Sequence, residues 1–152
     1  MRFVAASASL LSLALLMPST GLCAVDEKIP DAQSLLALEA RASQAGPREQ
    51  CFLYAELVHE MTELAGRQLS AGEVAEASST IHSVQDYAAK IHMDMTNDSK
   101  RLKNAEILMR HTAFRLHDIV SQASLEDRPT LDATLKQLNQ VQAELMLQVF
   151  RR

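Results

Sequence analysis

The sequence contains no tryptophan, only four glycines and four prolines, and few aromatic residues. It also lacks alternating runs of β-branched residues and the Asn-Gly or Asp-Gly pairs that often join paired strands. These absences argue against a β-sheet fold. The residues that fill the chain after Asp31 are mainly leucine, alanine, glutamine, glutamate and methionine, which favour helix. The composition therefore predicts an all-α protein.

Concentrated positive charge is also missing. Residues 25–80 carry ten acidic and four basic side chains, a net charge of −6, whereas residues 81–152 carry nine acidic and ten basic side chains, a net charge of +1. The one small basic cluster, Lys100, Arg101 and Lys103, is typical of a solvated helix face. Nucleic-acid-binding proteins usually carry a basic stripe, so we predict no nucleic-acid partner.

The longest uncharged apolar run is at the start of the chain, from Val4 to Met17, and Arg2 precedes it. Small residues follow it up to Ala24. This order is typical of a secretory signal peptide, and the run is shorter than the roughly 20 residues of a membrane-spanning helix. We predict that residues 1–24 are a cleaved signal peptide. Residues 25–152 then form a single all-helical domain, exported to the periplasm or secreted, with no stable membrane insertion.

Cysteine is nearly absent. Cys23 would leave with the signal peptide, so Cys51 would be the only thiol, which excludes an intrachain disulfide and a zinc site built on thiolates. Cys51 shares one helical stripe with Tyr54, Val58, Met61 and Ala65. We therefore predict that Cys51 is buried and poorly reactive, although an intermolecular link is the alternative.

Turn signals divide the rest of the chain into helices. Asp31 can cap a first helix that ends near Ala45, and Gly46-Pro47 ends that helix and starts the next one. Ser124 or Asp127 can cap the last helix. After the first helix we predict an antiparallel bundle of four long helices, at 47–69, 73–96, 99–124 and 127–151.

One hydrophobic repeat of 3.5 residues crosses the second and third of these long helices, and only Asp98 and Thr112 in it are polar. Such a repeat is typical of a coiled coil or a bundle seam. Its members are Ala77, Ile81, Val84, Ala88, Ile91, Met95, Asp98, Leu102, Ala105, Met109, Thr112, Leu116, Ile119 and Ala123.

The unbroken repeat leaves two architectures open. Either the chain turns at 97–99, or residues 73–124 form one continuous helix about 75 Å long. Asp98 distinguishes them. In a turn it caps a helix, so Asp98→Leu destabilises the protein; in a continuous seam the same change stabilises it.

Two groups of residues resemble metal ligands. Glu56 and His59 have the Glu-x-x-His spacing of di-iron bundles, but those sites need a second such motif. We interpret Glu56, His59, Glu60 and Glu63 as a solvated acidic face, on which Glu63 can pair with Arg67.

The second group is His92, Met93 and Met95, whose imidazole and thioether groups suit copper. Methionine in a helical seam is more often core filler. The chain has no Gly-x-Ser-x-Gly elbow, glycine-rich phosphate loop or haem-attachment motif. We predict a protein that is not an enzyme and that has no catalytic, metal or cofactor residues.

Two segments resemble known families. Residues 51–88, with Gly72, Val74, Ala77 and Ile81 at the turn and in its second helix, resemble one tetratricopeptide-type hairpin, which implies hairpin packing. The stretches Cys51–His59, Lys100–Glu106 and Glu126–Pro129 together resemble an uncharacterised family of short exported all-helical bacterial proteins. That resemblance implies export and a helical fold, and it transfers no functional residue.

Surplus apolar residues suggest the function. Phe52, Leu53, Leu57 and Leu64 lie beyond the stripe of the 47–69 helix, and Ile107 and Phe114 lie opposite the seam of the 99–124 helix. Such a surplus indicates either several neighbours within the chain or a partner. We predict a non-enzymatic exported protein that binds a protein partner or forms a homo-oligomer. The alternative is a periplasmic copper-type metal-binding protein.

Overall fold

The computed structural model describes residues 30–93 and 99–150, except for the side chains of residues 92, 93 and 99. All regular structure within these ranges is helical, which confirms the all-α class. None of these helices combines the length and apolar character needed to cross a bilayer. The helices are α1 (Ala32–Gln44), α2 (Pro47–Ala71), α3 (Val74–Met93), α4 (Ser99–Gln122) and α5 (Arg128–Phe150).

The helix ends follow the predicted signals. Asp31 caps α1, because its carboxylate accepts a hydrogen bond from the Ser34 backbone N–H at 2.6 Å. Pro47 occupies the first turn of α2. Gly72 ends α2 in the left-handed conformation, with φ of +79°, and the N–H of Glu73 donates to the carbonyl of Gln68 at 2.8 Å. The chain can therefore reverse within two residues.

Helices α2 and α3 form an antiparallel hairpin across this turn. Near the turn, the Thr80 hydroxyl donates to Gln68 Oε1 at 2.8 Å. Near the other end, the rings of Tyr54 and Tyr87 stack with centroids 6.0 Å apart. Lys90 Nζ lies 4.4 Å from the centroid of the Tyr87 ring, which is a cation–π contact. The hairpin packing predicted for residues 51–88 is therefore present.

A second hairpin, α4 and α5, lies beside the first one in a parallel sense. Arg101 pairs with Glu49 at 3.0 Å, and Arg115 pairs with Glu63 at 3.0 Å. From the first pair to the second, the residue number increases on both helices, so α4 runs parallel to α2. In the same way Gln85 of α3 donates to Thr134 of α5 at 2.7 Å. Each helix of the second hairpin therefore packs on its counterpart in the first.

This packing overturns one of the two predicted architectures. Helix α3 is antiparallel to α2 and α4 is parallel to α2, so α3 and α4 run in opposite directions and are two separate helices. A continuous helix over 73–124 is therefore wrong. In the described ranges α3 and α4 also do not pack on each other, so they are not the antiparallel neighbours that a simple up-and-down bundle requires. Asp98 lies outside the described residues, and its role stays a prediction.

A stripe of small residues explains why α4 packs on α2. A Cβ atom added to Gly66 would lie only 2.8 Å from Ile119 Cδ1, so glycine allows these helices to approach closely. Ala55 and Thr62, both fully buried, lie on the same side of α2 by helical spacing. The small side chains let α4 occupy this side of α2.

The core follows the predicted seam. Every described seam residue is buried except Ala123, which is half-buried. The polar member Thr112 is fully buried, and its hydroxyl donates to the Leu108 carbonyl at 2.8 Å. Because the hydroxyl has a partner within its own helix, it avoids the cost of an unsatisfied buried polar group.

Helix α1 packs against α2 of the first hairpin. Leu35, Leu38 and Ala42 are its buried residues. The Gln50 side chain donates to the Ala42 carbonyl at 3.0 Å, and the Tyr87 hydroxyl of α3 donates to the Glu39 carboxylate. Burial, and then the Glu39 carboxylate, raise the pKa of Tyr87 above its ordinary value. These contacts hold α1 against the first hairpin.

Candidate functional site

The Glu56–Glu63 segment is not the solvated face that the sequence predicts. Both Glu63 carboxylate oxygens accept hydrogen bonds from Arg115 Nε, at 3.1 and 3.0 Å. The predicted partner Arg67 lies one turn further along the same helix. The Glu63 side chain retains only 19% exposure, because α4 packs over it. This part of the segment therefore joins α2 to α4.

His59 has a structural partner of the same kind. Its Nδ1 lies 3.0 Å from the Thr112 hydroxyl. The same hydroxyl lies 2.8 Å from the Leu108 carbonyl oxygen, so it has partners on both helices. His59 therefore bridges α2 and α4, and Glu56 and Glu60 remain half-buried beside it.

No trio of His, Cys, Asp or Glu side chains is arranged to hold a metal within the part of the chain that the structure describes. The copper-type candidates fall elsewhere. The side chains of His92 and Met93, and all of Met95, lie outside the described residues. Copper binding by these residues stays a prediction.

Cys51 has the environment that its helical stripe predicts. Its side chain is 4% exposed, and Tyr54 and Val58 on the same stripe are also buried. Met61, the next member, is half-buried and packs against the core. The thiol is therefore a small apolar component of the core, shielded from reagents in solvent.

The apolar surplus of α2 is covered within the chain. Leu53 and Leu57 are buried, and Phe52 and Leu64 are half-buried against the core. Helix α2 contacts three other helices, α1, α3 and α4, and thus needs apolar residues on several sides. It offers no unpartnered apolar face.

The second hairpin, in contrast, keeps large apolar side chains in solvent. Phe114 on α4 is 70% exposed, and Ile107, one heptad earlier, is half-buried. On α5, Leu147 is 60% and Phe150 is 77% exposed. Five of the seven exposed large apolar residues in the described ranges lie between 99 and 150, so the imbalance belongs to this hairpin. The seven are Leu36, Val74, Phe114, Leu125, Met146, Leu147 and Phe150.

Basic residues accompany these apolar ones on α4. Lys100, Lys103 and Arg110 are exposed on the side of α4 that faces away from α2. The whole helix carries five basic and two acidic residues. We name the solvent-facing side of this hairpin the outer face; it includes Lys103, Arg110 and Phe114 on α4 and Leu147 and Phe150 on α5. The hydrogen bond between Gln142 and Glu106 sets the register of these antiparallel helices. Phe114 therefore lies about 20 Å along the hairpin from Leu147, and the exposed apolar side chains are spread over the face. This surface is positively charged and partly apolar.

The sequence identified Phe114 but not the α5 part of the outer face. Leu145, Met146 and Leu147 form a continuous apolar run, and Phe150 follows three residues later. A single buried stripe would explain Leu145, which is fully buried, but not the two residues after it. An apolar run wider than one buried stripe therefore indicated that α5 exposes apolar side chains.

Comparison with protein-family models, curated proteins and solved structures finds no match for this chain.

Proposed function

We propose that this is an exported, non-enzymatic helical protein that acts through protein–protein association, with the outer face as its binding surface. One observation carries the proposal, the number of large apolar side chains that this hairpin leaves in solvent. Phe114, Leu147 and Phe150 are each at least 60% exposed. Three such side chains on one hairpin, with no described helix over them, supply apolar area that a partner can cover.

The charge distribution favours a second copy of the chain as the partner. Arg101 and Arg115 of α4 already pair with acidic side chains of α2 in the same chain, but Lys103 and Arg110 remain exposed on the outer face. Residues 25–80, in contrast, have a net charge of −6. Two outer faces brought together would repel each other. The complementary contact joins the outer face of one copy to the acidic half of another. Such a head-to-tail contact can add further copies.

The test is sedimentation velocity of the mature chain over a range of protein and salt concentrations. We expect association at low salt that weakens as salt screens the attraction. The variant that carries both Phe114→Ser and Phe150→Ser should sediment as a monomer. Leu125→Ser is the matched control, because Leu125 is 81% exposed but lies in the turn between α4 and α5, and it should associate like the wild type.

Two results would contradict the proposal. A wild-type chain that stays monomeric up to about 1 mM would exclude self-association of useful strength. Equal loss of association in Leu125→Ser and in the double variant would show that the outer face has no special role. A salt-independent association would overturn the head-to-tail geometry, since it depends on opposite charges.

A further inference from the structure

A cleft lies at the end of the molecule where the turns of the two hairpins meet. Its volume is about 270 Å³, slightly below the roughly 300–1,000 Å³ typical of ligand pockets. The end of α2, the start of α3 and the end of α4 form its walls, and the turn before α5 closes one side. The outer face does not contribute to it, so the cleft requires a separate explanation.

One wall of the cleft carries the guanidinium group of Arg115, of which only Nε donates a hydrogen bond to a described residue. Arg115 lines the cleft, and it binds Glu63 through Nε alone. Among the described residues nothing accepts a hydrogen bond from its terminal NH₂ groups. A guanidinium that keeps these donors can form a bidentate pair with a carboxylate.

Another wall presents a carboxylate. Asp127 lines the same cleft, and its Oδ2 accepts a hydrogen bond from the Ser124 hydroxyl at 2.7 Å. The other oxygen, Oδ1, has no partner among the described residues. Arg115 and Asp127 form no ion pair with each other, although both face one cleft. The fold thus holds a cation and an anion apart in a shared cavity.

The remaining surface is partly apolar and partly polar. Its polar residues are Ser70, Gln122 and Ser124. Leu69, Val74 and Ile119 contribute to the walls, and Val74 is 47% exposed there. Gly66 forms part of the wall beside Ile119. The cleft therefore combines the guanidinium group of Arg115, the separate carboxylate of Asp127 and an apolar patch.

We infer that this cleft binds a small zwitterion with an apolar body, such as an apolar amino acid. The ligand carboxylate pairs with the terminal NH₂ groups of Arg115, its ammonium group pairs with Asp127, and its side chain contacts Leu69, Val74 and Ile119. A multiply charged anion such as phosphate fits less well, because Glu63 and Asp127 would both repel it. The ligand is recognised by both of its charges and by its apolar body.

Calorimetric titration of the intact mature protein with three related compounds tests this assignment. Leucine carries both charges, leucinamide lacks the carboxylate, and 4-methylpentanoate lacks the ammonium group. We expect leucine to bind at least about tenfold more tightly than either analogue. Equal binding of all three compounds, or no binding of leucine at about 10 mM, would overturn the inference.

Variants locate the site. Arg115→Gln should weaken leucine binding by about tenfold or more, and Asp127→Asn, which preserves the side-chain shape, should act similarly. Glu63→Gln is the matched control, since it weakens the same interhelical pair but retains the guanidinium. It should keep leucine binding.

Circular dichroism confirms that each variant is folded before titration. Wild-type affinity in Arg115→Gln, or the same loss in Glu63→Gln as in Arg115→Gln, would overturn the assignment. Should Arg115→Gln fail to fold, Asp127→Asn decides the question alone, because wild-type leucine affinity in that variant would also overturn it.

Discussion

At the scale of single residues, two carboxylates join different helices: Glu39 on α1 accepts from the Tyr87 hydroxyl on α3, and Glu63 on α2 accepts from Arg115 on α4. The helical stripe placed Cys51 correctly in the core. The i,i+4 rule offered Glu63 a partner on its own helix, Arg67, but its actual partner is Arg115 on α4. The i,i+4 rule considers only residues of the same helix, whereas Arg115 is 52 positions away from Glu63 in the sequence. Side-chain partners across helices therefore required the tertiary arrangement.

Tyr87 should make stability depend on alkaline pH. Burial and Glu39 raise its pKa above the ordinary 10.0, so the folded protein keeps the phenol proton at a pH where the unfolded chain releases it. Stability should therefore fall as the pH rises above about 10. Tyr87→Phe should cost about 1–2 kcal/mol at pH 7 by leaving Glu39 without its donor, and it should flatten the alkaline decline. Urea unfolding at pH 7 and at about pH 10.5 measures both effects.

Tyr54→Phe is the control for this experiment. Its ring stacks on Tyr87, but its hydroxyl has only a long contact, 3.5 Å, with Gln50. We expect a smaller loss, below about 0.5 kcal/mol. An alkaline decline that is as steep in Tyr87→Phe as in the wild type would refute the role given to Tyr87.

At the scale of helices, the sequence predicted which residues are buried but not which helices are neighbours. The 3.5-residue repeat identified the core faces of α3 and α4, because burial imposes periodicity on each helix separately. The same repeat ran through 97–99 without a shift, and it therefore left a continuous helix open. The close approach of Ile119 to Gly66 involves two helices together, so a pattern within one helix does not reveal it.

Helix α1 should open independently of the rest. It has 13 residues, a length at which isolated helices are marginal, and it contacts α2 along one side. We expect its amides to exchange with solvent faster than those of α2. Leu38→Ala should accelerate exchange within α1 about tenfold with little change elsewhere. Hydrogen exchange followed by mass spectrometry measures this.

Leu138→Ala provides the comparison. Leu138 is fully buried in α5, whereas Leu38 is 8% exposed. Truncation of Leu138 should destabilise the whole protein by about 2–5 kcal/mol and accelerate exchange in all helices. If Leu38→Ala changed exchange in every helix equally, α1 would belong to the same cooperative unit as the core.

At the scale of the whole molecule, two hairpins lie side by side with like helices in contact, as successive units do in helical repeat proteins. Helix α1 covers α2 at one side of this stack. At the other side, no described helix covers the outer face. Terminal units of such stacks usually have a polar surface, so the exposed Phe114 and Phe150 distinguish this side and support its proposed role in association.

Export predicts a shortened chain. The mature protein in the exported fraction should begin near Val25, because the small residues up to Ala24 form the expected cleavage site. Intact-mass spectrometry of that fraction measures the start directly. A folded, exported product that retains Met1 would contradict the signal-peptide interpretation, and a protein found only inside the cell would contradict export itself.

The parallel stacking of the hairpins also sets an order of folding. Within the first hairpin, Thr80 and Gln68 make contact although they are only 12 positions apart. His59 and Thr112, which connect the hairpins, are 53 positions apart. Nearby segments meet first, because closing a longer loop costs more chain entropy. Each hairpin can therefore assemble as a local unit, and the joining of α2 to α4 becomes the late step. Substitutions between hairpins should then mainly change the unfolding rate.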